Sequence, residues 1–297
     1  MLTAYLLTFL FIVSLTIGIY LFGYAARQAS IIHVTALEIF WGLLLIGPIL
    51  IFVEKLNFLE LFTKPNEESW LWLGSAAAFG VIGGNYFSLL NLKLSGERTN
   101  SLLSPSITAC TIVSSVLFLN ENITITKLLG LLVTLGSVLF FVILQTKKNN
   151  VIKNSLRQIG ASIATILCIT LSIIFSIKGT MYSQLSIMHS IWLRLIIALP
   201  FMLILLFITK KKIVTKGSAK YFFAIIGGVV AQTIVASYLW FYCTYKIGIS
   251  SFQIIISTLP FFVYTVDVYI FKKTKPSLYF LLTAILALIG IWIVVHG

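Results

Sequence analysis

Ten apolar stretches occupy nearly the whole of this 297-residue chain, at roughly 2–23, 31–53, 70–90, 99–120, 126–146, 158–178, 186–209, 219–244, 248–271 and 277–296. A helix rises about 1.5 Å per residue, so about 20 apolar residues cover a hydrocarbon layer of about 30 Å. Inside such a layer the backbone must satisfy its own polar groups, which leaves a bundle of helices as the natural solution. Segments such as Leu128–Leu144 and Leu281–Val295 have almost no polar face, unlike the helices of a soluble core. The expected fold is an all-α integral membrane protein with ten transmembrane helices. Met1 leads straight into apolar sequence without a basic flank or a small-residue cleavage site, so the first stretch is expected to be retained as a helix.

The charges sharpen this reading. Only 10% of residues are charged, against about 25% in soluble domains. The net charge of +13 would fit nucleic acid in a soluble protein. Here the positive residues fall in short connections between spans, where anionic lipid headgroups are the better partner and nucleic acid is not expected. Fifteen Lys and Arg lie in the odd-numbered connections: Arg27; Lys93 and Arg98; Lys147, Lys148, Lys153 and Arg157; Lys210, Lys211, Lys212, Lys216 and Lys220; Lys272, Lys273 and Lys275. Five lie in the even ones, at Lys55, Lys64, Lys127, Lys178 and Lys246. The positive-inside rule then places the odd connections in the cytoplasm and both termini outside.

The stretches form two sets of five. Tyr86-Phe87, Leu92-Lys93 and Leu103-Ser104-Pro105 have counterparts in Tyr238-Leu239, Tyr245-Lys246 and Thr258-Leu259-Pro260, with the prolines 155 residues apart. Gly136 and Gly290 correspond at 154 residues, and Pro48 and Pro200 at 152. Because five is odd, the second copy must enter the membrane upside down. The expected organisation is residues 1–146 as one five-helix repeat, 147–157 as a basic connection and 158–297 as the second, inverted repeat. Inverted repeats are a transporter architecture with the substrate site between the halves.

Several motifs together carry a family likeness. They are Asn85 to Lys93, Thr99 to Pro105, Leu119-Asn120-Glu121-Asn122-Ile123-Thr124 and Leu128-Leu129-Gly130, followed by Ser237-Tyr238-Leu239-Trp240, Tyr245-Lys246 and Leu259-Pro260. In this order and spacing the whole chain resembles the EamA type of the drug/metabolite transporter superfamily. The resemblance implies ten helices, a central cavity lined by spans three, four, eight and nine, and export of small metabolites, amino acids or drug-like compounds from a bacterial plasma (inner) membrane. It implies no cofactor. There are departures. Ile17-Gly18-Ile19 stands where members often have Trp, Gly42 stands where a basic residue would match Arg194, and Lys275-Pro276 replaces a Gly-Glu-like turn. Members are expected to have cytoplasmic termini, opposite to the charge pattern here.

Polar groups within spans are costly in lipid, so each marks a cavity or a partner. Arg194 is a candidate contact for an anionic substrate group; an internal ion pair or snorkelling to the interface is the alternative. Glu38 is a candidate proton-coupling carboxylate, or a partner of His33, Arg27 or another helix. Asp267 reads as a carboxylate paired with a nearby lysine. Asn85, Ser88 and Asn91 fall on one helical stripe, and Tyr238, Tyr242 and Tyr245 on another beside Trp240. Asn85, Tyr86, Ser88, Tyr238 and Trp240 are therefore candidate substrate contacts, since rings supply apolar area and amides or hydroxyls fix orientation. Pro105 and Pro260 are candidate hinges, each able to kink a span. Gly80-x-x-x-Gly84 and Gly227-x-x-x-Ala231 allow close helix approach. Cys110, Cys168 and Cys243 lie in apolar stretches with no metal-ligand spacing and read as small core residues.

An intramembrane enzyme is disfavoured. The sequence has no His-Glu-x-x-His, Gly-x-Ser-x-Gly or nucleotide-binding Gly-x-x-x-x-Gly-Lys-Ser/Thr motif, and no catalytic or metal residue is assigned. A membrane scaffold or sensor would not need an inverted repeat. A sugar-phosphate or nucleotide-sugar carrier would need several basic residues in the cavity, and only Arg194 lies well inside a span.

Overall fold

The computed structural model describes residues 2–149, 156–183, 185–209, 219–273 and 278–296. Most of the basic connection 147–157, together with Lys210, Lys211, Lys212, Lys216, Lys275, Pro276 and Gly297, lies outside the described residues. All regular structure among the described residues is helical. Eight helical runs are long and apolar enough to cross a bilayer, and Ser104–Leu119 and Ile125–Phe141 are two shorter apolar ones.

We number the helices by the ten apolar stretches: α1 (Thr3–Gln28), α2 (Ile31–Val53), α3 (67–95), α4 (97–119), α5 (Ile125–Asn149), α6 (Leu156–Met181), α7 (Ile187–Thr209), α8 (Ala219–Ile247), α9 (Ile249–Ile270) and α10 (Leu278–His296). The run Glu67–Ser101 is continuous in hydrogen bonding, but Gly96 has φ 79° and ψ 175°, so α3 ends there and α4 begins at Glu97. Gly248, with φ 82°, makes the same left-handed joint between α8 and α9, 152 residues on. Only glycine takes this backbone readily.

Each α4/α9 helix is broken again near its proline. Helix α9 stops at Ile256, turns through Ser257-Thr258, and resumes at Leu259 with Pro260 in its first turn. Helix α4 turns at Leu102-Leu103 and resumes at Ser104 with Pro105 in its first turn. A first-turn proline forfeits no hydrogen bond. The two prolines thus start helical segments after a break; they do not kink a continuous helix, as the sequence had indicated.

The two halves pack as exchanged copies. Helix α1 lies on α8 and α3 lies on α6; α2 pairs with α7, α4 with α9 and α5 with α10. Helix α9 is the most enclosed, 83% buried over its apolar window, against 28% for α2 and α10, which face outward. Outward leucines and isoleucines such as Leu132, Leu282 and Ile285 are what a lipid-facing surface requires. Buried hydroxyls are largely satisfied within their own helices, as Thr8, Thr16, Thr35 and Thr165 donate to the carbonyl four residues back. Of the three cysteines, Cys243 is buried and Cys168 half-buried, but Cys110 is exposed on the bundle surface rather than in the core.

Helices α5 and α10 meet through backbone. A Cβ on Gly290 would lie 2.8 Å from the Thr134 nitrogen and 2.9 Å from the Gly130 carbonyl oxygen. One on Gly130 would lie 2.7 Å from the Gly290 carbonyl oxygen. Backbone cannot rotate aside, so Gly290→Val is expected to cost about 1–3 kcal/mol by overpacking. Its apparent melting temperature in detergent should fall by several degrees, while Gly136→Ala, where no atom lies within 4 Å, should leave it unchanged.

Candidate functional site

Where α3 meets α6 and α1 meets α8, small residues leave a central cavity of about 280 Å³. Its walls come from matching positions of the two halves. Phe11, Leu15 and Ile19 of α1 correspond to Thr165, Ile169 and Ile173 of α6, each 154 residues on. Gly80, Val81, Asn85 and Ser88 of α3 correspond to Gln232, Thr233, Ser237 and Trp240 of α8, each 152 residues on. Asn100 and Leu103, before the break in α4, correspond to Gln253 and Ile256 of α9 at 153 residues. Just ahead of the Asn85 and Ser237 stripes, Ala77–Gly84 and Val229–Ala236 are wound more widely, in the five-residue hydrogen-bond pattern. Such wide turns recur at functional sites because they loosen the backbone ladder.

Two charged side chains enter this cavity. Glu38 of α2 is buried, and its carboxylate accepts hydrogen bonds from Asn85 Nδ2, at 3.0 Å to both oxygens, and from Thr233 Oγ1 at 2.9 Å. The two donors come from opposite halves. Neither His33 nor Arg27, both named as candidate partners from sequence, holds it; Arg27 reaches Glu97 instead. Arg194 of α7 keeps accessible surface within the cavity it lines. Its Nη2 donates to Ser172 Oγ at 3.3 Å, while Nε is buried without a hydrogen-bond partner. Among the described residues, no acid lies within 4.0 Å of Arg194, so the internal ion pair considered from sequence is absent there. Asn100 Oδ1 is likewise buried and unpartnered at the cavity wall. Arg194 Nε and Asn100 Oδ1 are thus unpaired polar atoms on two residues of the cavity wall.

The sequence candidates divide accordingly. Asn85, Ser88, Trp240, Arg194 and Glu38 all line the cavity. Tyr86 and Tyr238 do not. Tyr86 packs against Phe87 between helices, and Tyr238 is 37% exposed and stacked on Tyr242. One residue is a turn of about 100° on a helix, so the neighbour of a cavity-facing residue points elsewhere. The cavity face of α8 is Ser237 and Trp240, the repeat positions of Asn85 and Ser88. Asn91, on the same α3 stripe, instead donates to Thr165 Oγ1 at 3.0 Å. Asp267 does meet a lysine, Lys273, at 3.5 Å. Sequence reasoning missed Asn100, Ser104, Ser172 and Thr233; the repeat offset applied to Val81 was the available signal for Thr233.

The sequence profile of the EamA-like transporter family matches residues 2–143 and 158–296, one copy on each half. The chain belongs to the EamA-like transporter family. A solved crystal structure superposes with a TM-score of 0.75 at 15% identity, covering 98% of this chain and 96% of its own, which establishes a shared fold. Comparison with curated proteins finds none that matches.

Because Arg194 balances no acid, Arg194→Gln should leave the folded yield and melting temperature close to native, within about 2 °C for a change of under about 0.5 kcal/mol. Glu38→Ala strands the Asn85 and Thr233 donors and should cost about 1–3 kcal/mol. If Arg194→Gln instead destabilises and a second change, Glu38→Gln, restores stability, the two charges are coupled and this reading fails.

Proposed function

We propose that the chain is a secondary transporter for a small amphoteric organic molecule, exposing its cavity alternately to the two sides of a bacterial plasma membrane. The halves act as inverted five-helix repeats that rock about the cavity, and the physiological direction is export. The observation that carries this reading is the cavity itself. It is built from matching positions of two repeats and holds a guanidinium and a carboxylate, each without an opposite charge of its own.

An ammonium group beside Glu38 and a carboxylate beside Arg194 would satisfy both, since charge-assisted hydrogen bonds are about twice as strong as neutral ones. The walls between are Phe11, Leu15, Ile19, Ile169, Ile173 and Trp240, which suit an apolar body. Free amino acids and similar metabolites have this chemistry. Asn85, Ser88 and Trp240 are the proposed orienting contacts and Glu38 the proposed coupling carboxylate. Tyr86 and Tyr238 could act only at second hand, through the packing of α3 and α8. A phosphorylated sugar or nucleotide sugar is less well served, because Arg194 is the one cationic side chain among the described lining residues.

Purified protein should be stabilised against heat by neutral amino acids or related zwitterions. A ligand at 100 times its Kd contributes about 2.7 kcal/mol, several degrees at this scale. Esterifying the carboxylate or acetylating the amine of the same compound should abolish the shift. Stabilisation by sugar phosphates and not by zwitterions would replace this reading with the carrier alternative. Flux of a stabilising compound into liposomes should then run down a substrate or proton gradient without nucleotide, and strict dependence on ATP would reject the secondary mechanism.

Orientation follows from the fifteen-to-five bias of Lys and Arg between connections. A reporter active only outside the cytoplasm should be active when fused after Gly297 and silent when inserted within 147–153. The reverse pattern would show that the charge bias does not set the topology here.

A further inference from the structure

Below the cavity, at the end carrying the odd-numbered connections, three helices converge on a buried ionic cluster. Glu97 begins α4 immediately after Gly96. Its side chain is 7% exposed and sits between Arg27 Nη2 at 2.7 Å and Lys273 Nζ at 3.9 Å. The Arg27 contact is not aligned as a hydrogen bond at Oε1, so its attraction is chiefly between charges. Lys273 also lies 3.5 Å from Asp267 Oδ1, which accepts from the Tyr20 hydroxyl at 2.8 Å. The acids are buried and the cations, Arg27 and Lys273, are 44% and 50% exposed, so the cations lid the acids from the outside. Arg98 lies over the Tyr264 ring at 5.2 Å beside them.

Each strut leads straight up to the cavity wall. Asn100 lies three residues beyond Glu97, Ile19 eight before Arg27 and Leu259 eight before Asp267, or about 4–12 Å along a helix. Helices α1 and α4 belong to the first half and α9 to the second, so the cluster ties the halves together beneath the cavity. At the opposite end the repeat offset of 152 residues carries Arg98 to Ser250 and Lys273 to Glu121. There Glu121 accepts from the Ser250 nitrogen at 3.1 Å and its hydroxyl at 2.9 Å. Lys273 and Glu121 thus hold matching positions in contacts between the halves, through an ion pair to Glu97 at one end and hydrogen bonds from a neutral partner at the other.

We propose that the Arg27–Glu97–Lys273–Asp267–Tyr20 cluster is the latch that holds the odd-connection end of the cavity closed. Opening that end separates α4 and α9, and so draws Lys273 away from Glu97 with Gly96 as the joint. Gly23 is part of the device: a Cβ there would lie 2.7 Å from Glu97 Oε1, so its absence makes room for the carboxylate against α1. The latch rests on the transporter reading above, but its test does not require a known substrate.

The test is cysteine accessibility in sealed vesicles. Cys110, Cys168 and Cys243 are replaced by alanine, and Leu103→Cys is introduced at the cavity wall. Leu94→Cys, exposed beside the first joint, identifies vesicles with the odd-connection end outward. Glu97→Gln with Asp267→Asn should raise the rate of Leu103→Cys labelling by an impermeant maleimide about tenfold from that side, the change that loss of one favourable charge contact gives to a two-state balance. Gly23→Ala, which keeps every charge and crowds Glu97, should raise it in the same direction and serves if the neutralised protein does not fold. An unchanged rate in a folded variant overturns the latch. Flux in liposomes judges the transport reading separately, because labelling needs no substrate.

Discussion

The bundle depends on close contacts where helices from opposite halves touch through a missing side chain, and two of them flank the cavity. A Cβ on Gly18 of α1 would lie 2.6 Å from Gln232 Cβ of α8, and one on Gly80 of α3 would lie 2.0 Å from Ser172 Oγ of α6. These are one contact seen twice: Gly18 and Ser172 are 154 residues apart, and Gly80 and Gln232 are 152 apart. Without a hydrophobic driving force in lipid, helices associate through close packing and polar contacts, and small residues permit both. The approach of α6 to α3 also lets Ser172 donate to the Ala76 carbonyl at 2.9 Å while accepting from Arg194. The placement of the guanidinium is thus a consequence of a glycine on another helix.

On this symmetric frame the chemistry is asymmetric. The repeat position of Arg194 is Gly42, where a Cβ would already lie 2.8 Å from Leu195 Cδ1. A side chain there would have to displace the end of Leu195. The repeat position of Glu38 is Ser190, which donates to the Ser186 carbonyl and stays out of the cavity. One cation and one anion therefore face a volume whose apolar lining is nearly duplicated. Their unequal solvation is telling. Glu38 is held by hydrogen bonds from both halves, whereas Arg194 keeps an unmet donor, and a buried charge that has no partner is retained at a cost of stability. Such costs concentrate where function needs them.

What was legible in the sequence was whatever depends on local order along the chain. The apolar helical runs and the division into two repeated halves follow from hydrophobic patterning and spacing along the chain. Asn85 and Ser88 were found because a stripe on a helix needs only its own spacing, and Trp240 was named only as a neighbour of the tyrosine stripe. The tyrosines were chosen for their chemistry, and the helix turned them away; the repeat offset, carried from Asn85 to Ser237, would have corrected the choice. Prolines 105 and 260 read as kinks because the preceding turns, at 102–103 and 257–258, have no composition signal. Glu97 and Arg98 read as a polar connection. Their burial depends on Gly23, Tyr264 and Asp267, which are far away in sequence and become neighbours only when three helices converge.

The uneven ends of the bundle carry the last step. If both ends were joined by the same groups, a two-fold frame would favour neither, and the cavity would open to each side at equal cost. The two ends are joined by different groups, an ion pair between Lys273 and Glu97 at one and hydrogen bonds from Ser250 to Glu121 at the other. In the transport cycle and latch proposed above, the frame supplies two related conformations, and the contacts of Lys273 with Glu97 and of Glu121 with Ser250 bias their balance. A substrate that binds equally to both conformations could not shift that balance, however tightly it bound. Coupling must therefore come through groups whose partners differ between the two states. Under the rocking motion proposed above, Glu38 is suited to that role, because its donors Asn85 and Thr233 belong to opposite halves.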